Sequence, residues 1–362
     1  MSVEVREKIE RALQLSGLAS DSVADSATFL GEGAWHEAYL LTMSDRRRLV
    51  MRFPKKVAYG QPVEYDEAAM KAEYAGTGYY YKLANQVEPG ICPEEYDYHV
   101  SPELTYTLET YVGETIDMAI IDLETAYSIG YQRGTFMRKM DGVEPGVTGY
   151  AFLNWDEERG ELRGQVDGDF RDNLREEQDD YRQDLDALLQ SELAFDRAEV
   201  ERKWQDVFAR RAIDTETLAL TNRDTSPENT VLVDGRLRVI DPLPILYSGK
   251  VMAGNVLNNY DALHPLYHTS PRYAKHRWNL YEDKLTRIAD GFLDGYSQGD
   301  ADLRRALRGE EFLMLLSMVA GHYALLQQEE LSTSQIQRSG DRQAIEERLP
   351  KLLDRLEKFS FA

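Results

Sequence analysis

A two-residue turn near the middle of the chain constrains the fold more strongly than any other feature of the sequence. Asp234 and Gly235 join two short runs rich in β-branched residues, TVLV and RLRVI. Asp-Gly is a favoured dipeptide of tight hairpin turns, because both turn positions need a positive φ. The pattern therefore predicts a β-hairpin that places Asn229 opposite Ile240, one residue before Asp241.

This register brings an amide and a carboxylate side by side at the open end of the hairpin. Cross-strand neighbours lie about 5 Å apart, so Asn229 and Asp241 are close enough to share one cation. Few protein oxygens, completed by water and phosphate, are typical of a Mg²⁺ site. Asp224 precedes Asn229 in a polar loop and is a candidate proton acceptor for an attacking hydroxyl. Each residue alone is also a common turn former or strand cap, but the combination favours phosphoryl transfer.

Composition excludes several classes of function. The net charge of −22 disfavours nucleic-acid binding, because that requires clustered Lys and Arg. Cys92 is the only cysteine, so an internal disulfide is excluded and a reducing, cytoplasmic location is expected. The most apolar segment, residues 312–326, is shorter than the roughly 20 residues of a membrane span. It predicts a buried helix, and no membrane partner is expected.

The order of periodic segments predicts an α+β fold with two lobes. Residues 1–112 contain five strand-like runs and one long helical run from residue 64, loosened at Gly76 and Gly78. Residues 113–362 are mainly helical, with apolar residues repeating every three or four positions. We expect a small β-rich N-terminal lobe, a larger helical C-terminal lobe and a ligand cleft between them.

The segments TNRDTSPENTVL and VIDP carry a resemblance to a known family. They resemble the catalytic loop and the metal-binding segment of the protein-kinase-like fold, and more closely its aminoglycoside phosphotransferase-like branch of small-molecule kinases. The resemblance implies that Asp224 is the catalytic base and that Asn229 and Asp241 bind Mg²⁺. The sequence departs from that family's H-G-D pattern at Asn222 and Arg223.

The same resemblance assigns the nucleotide-binding residues of the first lobe. LGEGAWHEAYLL is similar to a glycine-rich phosphate loop with Gly31 and Gly33, although His36 replaces the third glycine. Arg52 in LVMRFP takes the place of the phosphate-binding lysine, with Lys55 or Lys56 as substitutes. A helix carboxylate should orient this cation; we expect Glu73, with Glu67 as second choice.

The resemblance further implies how the purine base of the nucleotide would bind. The strand LETYVGETID is similar to the hinge, where backbone groups of Glu109 to Tyr111 would contact the purine. Leu232 and Ile240 from the hairpin would cover the other face of the base.

These assignments imply a kinase that transfers the γ-phosphate of Mg-ATP, or of GTP, to a hydroxyl of a small molecule. Residues 156–206 contain 18 acidic and 8 basic side chains, which favours a cationic acceptor such as an aminoglycoside or related antibiotic. The same run is typical of a solvated face that only maintains solubility. Kinases of metabolite alcohols, of choline, homoserine or sugar type, share the resemblance. A nucleotide-binding pseudokinase or scaffold is a further alternative, favoured by Arg52 and the absent third glycine.

The candidate substrate-facing acids of this run, for which a role in solubility is an equal alternative, lie between residues 167 and 180. They are Asp167, Asp169, Glu176, Glu177, Asp179 and Asp180.

Overall fold

The computed structural model describes residues 2–18, 27–33, 35–58 and 61–361. A five-stranded antiparallel sheet forms the first part of the chain, and a separate two-stranded pair follows its third strand. The strands in chain order are β1 (Thr28–Glu32), β2 (His36–Thr42), β3 (Arg48–Pro54), β4 (Val57–Ala58), β5 (Gln61–Pro62), β6 (Tyr96–His99) and β7 (Tyr106–Thr110). The large sheet has the order β1-β2-β3-β7-β6, and β4 pairs with β5. The five strands predicted from the sequence are confirmed.

Two helices accompany this sheet. Helix α1 (Val3–Leu15) buries Ile9 and Leu13 in a cluster that includes Leu41 and Met51 of the sheet. Helix α2 (Glu67–Val87) is capped by Asp66, whose side chain accepts the Ala69 N–H at 2.9 Å. An Asp at this position satisfies one of the unpaired N–H groups of the first turn.

The prediction that Gly76 and Gly78 loosen helix α2 is wrong, since the helix continues through both to Val87. A Cβ on Gly76 would lie 3.0 Å from Leu153, and one on Gly78 would lie 2.9 Å from Tyr96. These glycines therefore let other elements approach the helix closely. The packing gained there outweighs the low helix propensity of glycine.

Helices of seven or more residues dominate the second part of the chain. They are α3 (Leu123–Met140), α4 (Phe170–Gln190), α5 (Arg197–Arg210), α6 (Gly249–Asn258), α7 (Glu282–Ser297), α8 (Ala301–Leu326), α9 (Thr333–Ser339) and α10 (Arg342–Lys358). Short helical turns occupy much of the segment between residues 259 and 281. The expected buried helix at residues 312–326 is confirmed as the second half of α8. In the described part of the chain, no helix has the length and apolar character to cross a membrane.

The second part also contains strands that position the candidate site. They are β8 (Tyr150–Asp156), β9 (Glu161–Val166), β10 (Leu218–Asn222), β11 (Thr230–Val233), β12 (Arg236–Val239) and β13 (Pro244–Ser248). Strands β11 and β12 form the predicted hairpin, and the others form a sheet in the order β10-β13-β8-β9. The predicted α+β fold, a β-rich N-terminal part and a helical C-terminal part, is confirmed. The boundary at residue 112 stays a prediction.

Four glycines allow helices α3 and α7 to cross in backbone contact. A Cβ on Gly130 or Gly134 would clash with the backbone of α7, and one on Gly291 or Gly295 with that of α3. The sequence-based interpretation of Gly130 and Gly134 as close-packing residues is therefore correct. The crossing also affects the candidate site, because helix α3 carries residues that hold the candidate catalytic loop in place.

We expect Gly291→Ala to lower the free energy of unfolding by about 1–3 kcal/mol, because the methyl group forces two backbones apart. Gly321→Ala on helix α8 is the matched control, since its added Cβ would meet nothing within 4 Å. Alanine there should be neutral or stabilise by up to about 1 kcal/mol. Urea denaturation of both variants checks the prediction, and equal midpoints would contradict it.

Candidate active site

The loop after strand β10 holds Asp224 in a network of short-range hydrogen bonds. The Asn222 side-chain oxygen accepts the N–H of Asp224 at 3.0 Å and that of Leu243 at 2.8 Å. Asn222 therefore ties the loop to the segment that follows Asp241. The Asp224 carboxylate accepts the Ser226 N–H at 3.1 Å through one oxygen, Oδ1.

The hairpin has the register expected from its turn. Thr230 pairs with Val239, and the Ile240 N–H donates to the Asn229 carbonyl at 3.3 Å. The Asn229 side-chain N–H donates to the main-chain oxygen of Asp241 at 3.0 Å. The two residues are thus held together, and the Asn229 Oδ1 atom accepts no hydrogen bond from the residues that the structure describes.

Asp241 occupies a left-handed backbone conformation with φ of 47°. Its N–H donates to the Tyr81 hydroxyl at 3.0 Å, and its side chain is exposed. A left-handed aspartate carries a steric cost that surrounding contacts must offset. An exposed carboxylate beside a free amide oxygen fits the hard-oxygen chemistry of Mg²⁺, which takes its remaining ligands from water and phosphates.

Arg133 of helix α3 holds the candidate catalytic loop in place through hydrogen bonds. This 2% exposed side chain donates to the Thr225 carbonyl and the Thr230 hydroxyl, and to the Tyr260 hydroxyl at 2.9 Å. Tyr260 also donates to the Thr225 carbonyl, at 2.7 Å. One buried guanidinium thus contacts the loop on both sides of Asn229, a role that the sequence interpretation missed.

Burial raises the pKa of Asp224 above its ordinary value of 3.8, although the hydrogen bonds from Ser226 oppose the rise. Asp241 and Glu228 add to it through like-charge repulsion. A carboxylate with a raised pKa is a stronger base than a solvated one. The electrostatics therefore favour proton acceptance by Asp224 and cation binding by the exposed Asp241.

The partner of Arg52 differs from the one expected. Arg52 on strand β3 forms an ion pair with Glu109 of strand β7 at 2.5 Å, so the expected pairing with Glu73 is corrected. Both side chains point from adjacent strands, and Glu109 is only 2% exposed. Burial alone would lower the pKa of Arg52, but the charge of Glu109, helped by Asp241, raises it.

Glu73 lies instead near Asp241 as an exposed residue of helix α2, and His36, which is half-buried, also lies near Asp241. Partial desolvation by its neighbours, and then the charge of Asp241, raise the pKa of Glu73. Burial lowers the pKa of His36 to about 4, against the opposing charge of Asp241. The His36 Nε2 atom lies 2.7 Å from the Tyr74 hydroxyl. Residues of helix α2 and of strand β2 therefore converge on the candidate metal site.

The candidate phosphate loop lies between strands β1 and β2. Gly31 lies within β1, and the Gly33 N–H donates to the His36 carbonyl at 2.8 Å. Lys55 approaches this loop and pairs with Glu32 at 2.9 Å. Lys55 thus lies next to the loop, whereas Arg52 is only 15% exposed and is paired with Glu109.

The hinge geometry alters the expected contact with a purine. Glu109 pairs in register with Val50 on one side and Tyr96 on the other, so its backbone lies inside the sheet. The Tyr111 N–H donates to the Arg48 carbonyl at 3.0 Å, and the Arg48 guanidinium lies 4.5 Å from the Tyr111 ring centre. The expected donor groups at Glu109 to Tyr111 are therefore already engaged. Residues 112–114 are the next backbone groups along the hinge.

The other expected base-contacting residues lie on the hairpin. Leu232 and Ile240 are both half-buried, and the Ile116 N–H donates to the Thr230 carbonyl at 2.9 Å. A Cβ on Gly113 would lie 2.9 Å from Val231, so a glycine is needed for this approach. The hinge segment therefore packs directly on the hairpin that carries the candidate metal ligands.

The acidic run forms defined secondary structure, namely the β8–β9 hairpin and helices α4 and α5. Several of its candidate substrate-binding acids are already engaged within the protein. Asp167 pairs with Arg163, Asp169 caps helix α4, Glu177 accepts the Tyr247 hydroxyl, and Asp179 lies 3.6 Å from Arg182. These contacts favour a structural role for much of the run.

A buried histidine packs beside the Tyr260 anchor. His264 is 4% exposed, and both ring nitrogens lack a hydrogen-bond partner among the described residues. Its ring lies 5.1 Å from Tyr260 and 4.4 Å from Trp278, centre to centre. Burial lowers the pKa of His264 to about 3.

We expect the neutral His264 to make the fold sensitive to acid. The unfolded chain protonates this residue below pH 6.5 and the folded protein only near pH 3, so stability falls as the pH drops through this window. Between pH 7 and pH 5 the loss from one such site is about 2 kcal/mol. His264→Phe should show a correspondingly weaker pH dependence in urea denaturation, whereas His99→Phe on strand β6 should not. An unchanged dependence in His264→Phe would contradict the prediction.

No protein-family profile and no curated protein matches the sequence. Solved structures do match over nearly the whole chain. The crystal structure of aminoglycoside phosphotransferase APH(4)-Ia has a TM-score of 0.54 at 14% identity and covers 96% of this chain and 98% of its own. A choline/ethanolamine kinase family protein from Mesorhizobium loti has a TM-score of 0.52 at 14% identity, covering 98% and 94%.

A third structure contains ligands. It is a thermostable mutant of the same phosphotransferase in a ternary complex with AMP-PNP and hygromycin B, with a TM-score of 0.51, 14% identity and 98% coverage of both chains. Similarity at this level of identity concerns the fold. The chain therefore has the protein-kinase-like fold in the form seen in aminoglycoside phosphotransferases and choline/ethanolamine kinases.

Proposed function

We propose that the protein is a small-molecule kinase that transfers the terminal phosphoryl group of Mg-ATP, or of GTP, to a hydroxyl of its acceptor. The observation that carries the proposal is the hydrogen-bond network that joins the loop of Asp224, through Asn222, to the segment after Asp241 and holds Asn229 against Asp241. Phosphoryl transfer depends almost entirely on positioning and charge stabilisation. The fold shared with two kinds of small-molecule kinase supports this function.

Each residue of the site has a distinct role in this proposal. Asn229 Oδ1 and the Asp241 carboxylate would hold Mg²⁺, which neutralises phosphate charge when it is bound. Asp224 orients the acceptor hydroxyl and takes its proton. Lys55 contacts the phosphates at the glycine loop, and the backbone of residues 112–114 contacts the base, covered by Leu232 and Ile240.

Arg52 takes a supporting role in this scheme. Its ion pair with Glu109 fixes a positive charge beneath the phosphates, near the Asp241 carboxylate. An arginine held by a buried carboxylate keeps its position and its charge. Glu73, whose pKa is raised by partial desolvation and by the charge of Asp241, contributes a titratable group near Asp241.

A cationic acceptor, such as an aminoglycoside, fits the net charge of −22 and the acidic run. Its hydroxyl would enter beside Asp224, and an alcohol metabolite of the choline type would satisfy the same chemistry. A panel of aminoglycosides, macrolides and amino alcohols tests the proposal when it is assayed for ADP release with Mg-ATP and for GDP release with Mg-GTP. Acceptor-dependent release of either diphosphate supports the proposal; no release with any acceptor, despite Mg-nucleotide binding, contradicts it.

One observation favours a second candidate, a nucleotide-binding pseudokinase or scaffold. The Arg52 guanidinium is engaged by Glu109 instead of being free for phosphate contact. In that case Mg-nucleotide would stabilise the wild type and Asp224→Asn equally, and neither protein would turn over any acceptor. A difference in turnover between the two proteins excludes this candidate.

A further inference from the structure

A polar cavity lies far from the candidate catalytic residues. Its volume is about 360 Å³, and it is formed by the end of helix α3, the residues before strand β10 and the start of helix α6. The charged side chains on its wall are Arg138, Lys139, Asp141, Glu216 and Lys250. Strand β10 separates it from the catalytic loop and, at about 3.3 Å for each of its five residues, spans about 16 Å.

The wall of the cavity carries three cationic and two carboxylate side chains, so the basic groups outnumber the acidic ones even with Asp141 ionised. Glu216 is neutralised by an ion pair with Lys250 and accepts the Ser248 hydroxyl at 2.6 Å. Asp141 accepts the Tyr296 hydroxyl, and burial raises its pKa to about 7 against the opposing effects of that hydrogen bond and of the Arg138 charge. Arg138, in contrast, forms no ion pair with any residue that the structure describes.

The remaining cations determine the class of ligand. Arg138 is exposed beside the Tyr296 ring, 5.9 Å from its centre, and the exposed Lys139 is shared with Glu88 at 3.0 Å. Such a guanidinium donates to oxyanions in a planar, bidentate geometry. A local positive site is unusual on a protein with a net charge of −22, and it selects anions.

The cavity is shaped by close contacts between the elements that surround it. A Cβ on Gly249 would clash with the Asp141 carboxylate, so glycine is needed where helix α6 begins. The Asp141 Oδ1 atom is buried and has no hydrogen-bond partner among the described residues. Leu218 pairs with Ser248 at this end of the β10–β13 pair, whereas Asn222 pairs with Pro244 at the catalytic end. The cavity and the candidate active site thus lie at opposite ends of the same two strands.

We propose that this cavity binds a small phosphate-bearing anion, through Arg138 with Lys139 and Lys250. Inorganic phosphate and a phosphate monoester share the required chemistry, and the volume accommodates either. This site is separate from the proposed nucleotide site and does not depend on kinase activity.

Isothermal titration with inorganic phosphate and with glycerol 3-phosphate, at constant ionic strength, tests the proposal on the whole chain. We expect saturable binding of at least one of them by the wild type, and Arg138→Glu should weaken it at least tenfold. Arg138 is exposed, so this variant is expected to fold; its thermal unfolding checks that. Tighter binding of the ester identifies a monoester site, and tighter or equal binding of phosphate identifies an inorganic phosphate site.

Two control variants distinguish binding in this cavity from a general effect of charge and from binding at the candidate phosphate loop. Lys351→Glu changes the net charge equally on the exposed surface of helix α10, and Lys55→Ala removes the cation beside the candidate phosphate loop. Both should bind the probe within about twofold of the wild type. The proposal is overturned if neither probe binds, if Arg138→Glu binds as the wild type does, or if either control weakens binding as much as Arg138→Glu.

Discussion

Asp224→Asn is expected to lower the turnover of an acceptor found in the panel by about 10²–10⁴-fold, the usual contribution of a positioned general base. The amide keeps the size of the side chain and an oxygen able to accept the Ser226 N–H. Folding and Mg-nucleotide affinity should therefore stay near the wild-type values. Steady-state ADP release and nucleotide titration measure the two effects separately.

The pH profile gives this prediction a second readout. Because burial raises the pKa of Asp224, the acid limb of kcat/KM should fall with an apparent pKa above 3.8, the ordinary value of the group. Activity is lost as the pH drops through that pKa, since protonated Asp224 accepts no proton. Glu228→Gln is the matched control, as it neutralises another carboxylate of the same loop, and it should lower kcat less than tenfold. Equal losses in the two variants would contradict the role of Asp224.

Arg133→Met is expected to have the second largest effect, although Arg133 supports the loop and is not itself a candidate catalytic residue. Its loss removes the guanidinium contacts to Thr225, Thr230 and Tyr260. We expect the free energy of unfolding to fall by about 2 kcal/mol, the range for hydrogen bonds to a charged group. A loop displaced by about 1 Å should lower kcat by about 10²-fold.

Arg287→Met on helix α7 is the control for Arg133→Met. Its side chain is 41% exposed and pairs with Asp290 at 2.9 Å, so its loss should change stability by less than about 0.5 kcal/mol. Urea denaturation and turnover are measured for both variants. If Arg133→Met retains wild-type kcat, the loop does not depend on this anchor.

Features encoded by neighbouring residues could be predicted from the sequence. The β11–β12 hairpin follows from the turn chemistry of Asp234 and Gly235, and its register follows from counting residues outward from that turn. The five strands of the first sheet follow from runs of alternating or β-branched residues. The juxtaposition of Asn229 with Asp241 required only this local information.

Contacts between distant segments could not be predicted in the same way. The pairing of Arg52 with Glu109 depends on the register of β3 with β7, which are separated by the whole of helix α2. The β10-β13-β8-β9 sheet likewise joins strands far apart in the chain. The anchoring role of Arg133 did leave a sequence signal, since a charged residue lies between Gly130 and Gly134 on a buried helix face. A buried charge of this kind needs polar partners, which the catalytic loop supplies.

A crystal structure of the protein with AMP-PNP and Mn²⁺ tests the central claim most directly, because anomalous scattering locates the metal independently of the phosphates. We predict one Mn²⁺ about 2.0–2.3 Å from both Asn229 Oδ1 and an Asp241 carboxylate oxygen, with Asp224 facing the terminal phosphate and not bound to the metal. Nucleotide bound in the cleft with its metal coordinated elsewhere, or with Asn229 and Asp241 turned apart, would contradict the proposed site.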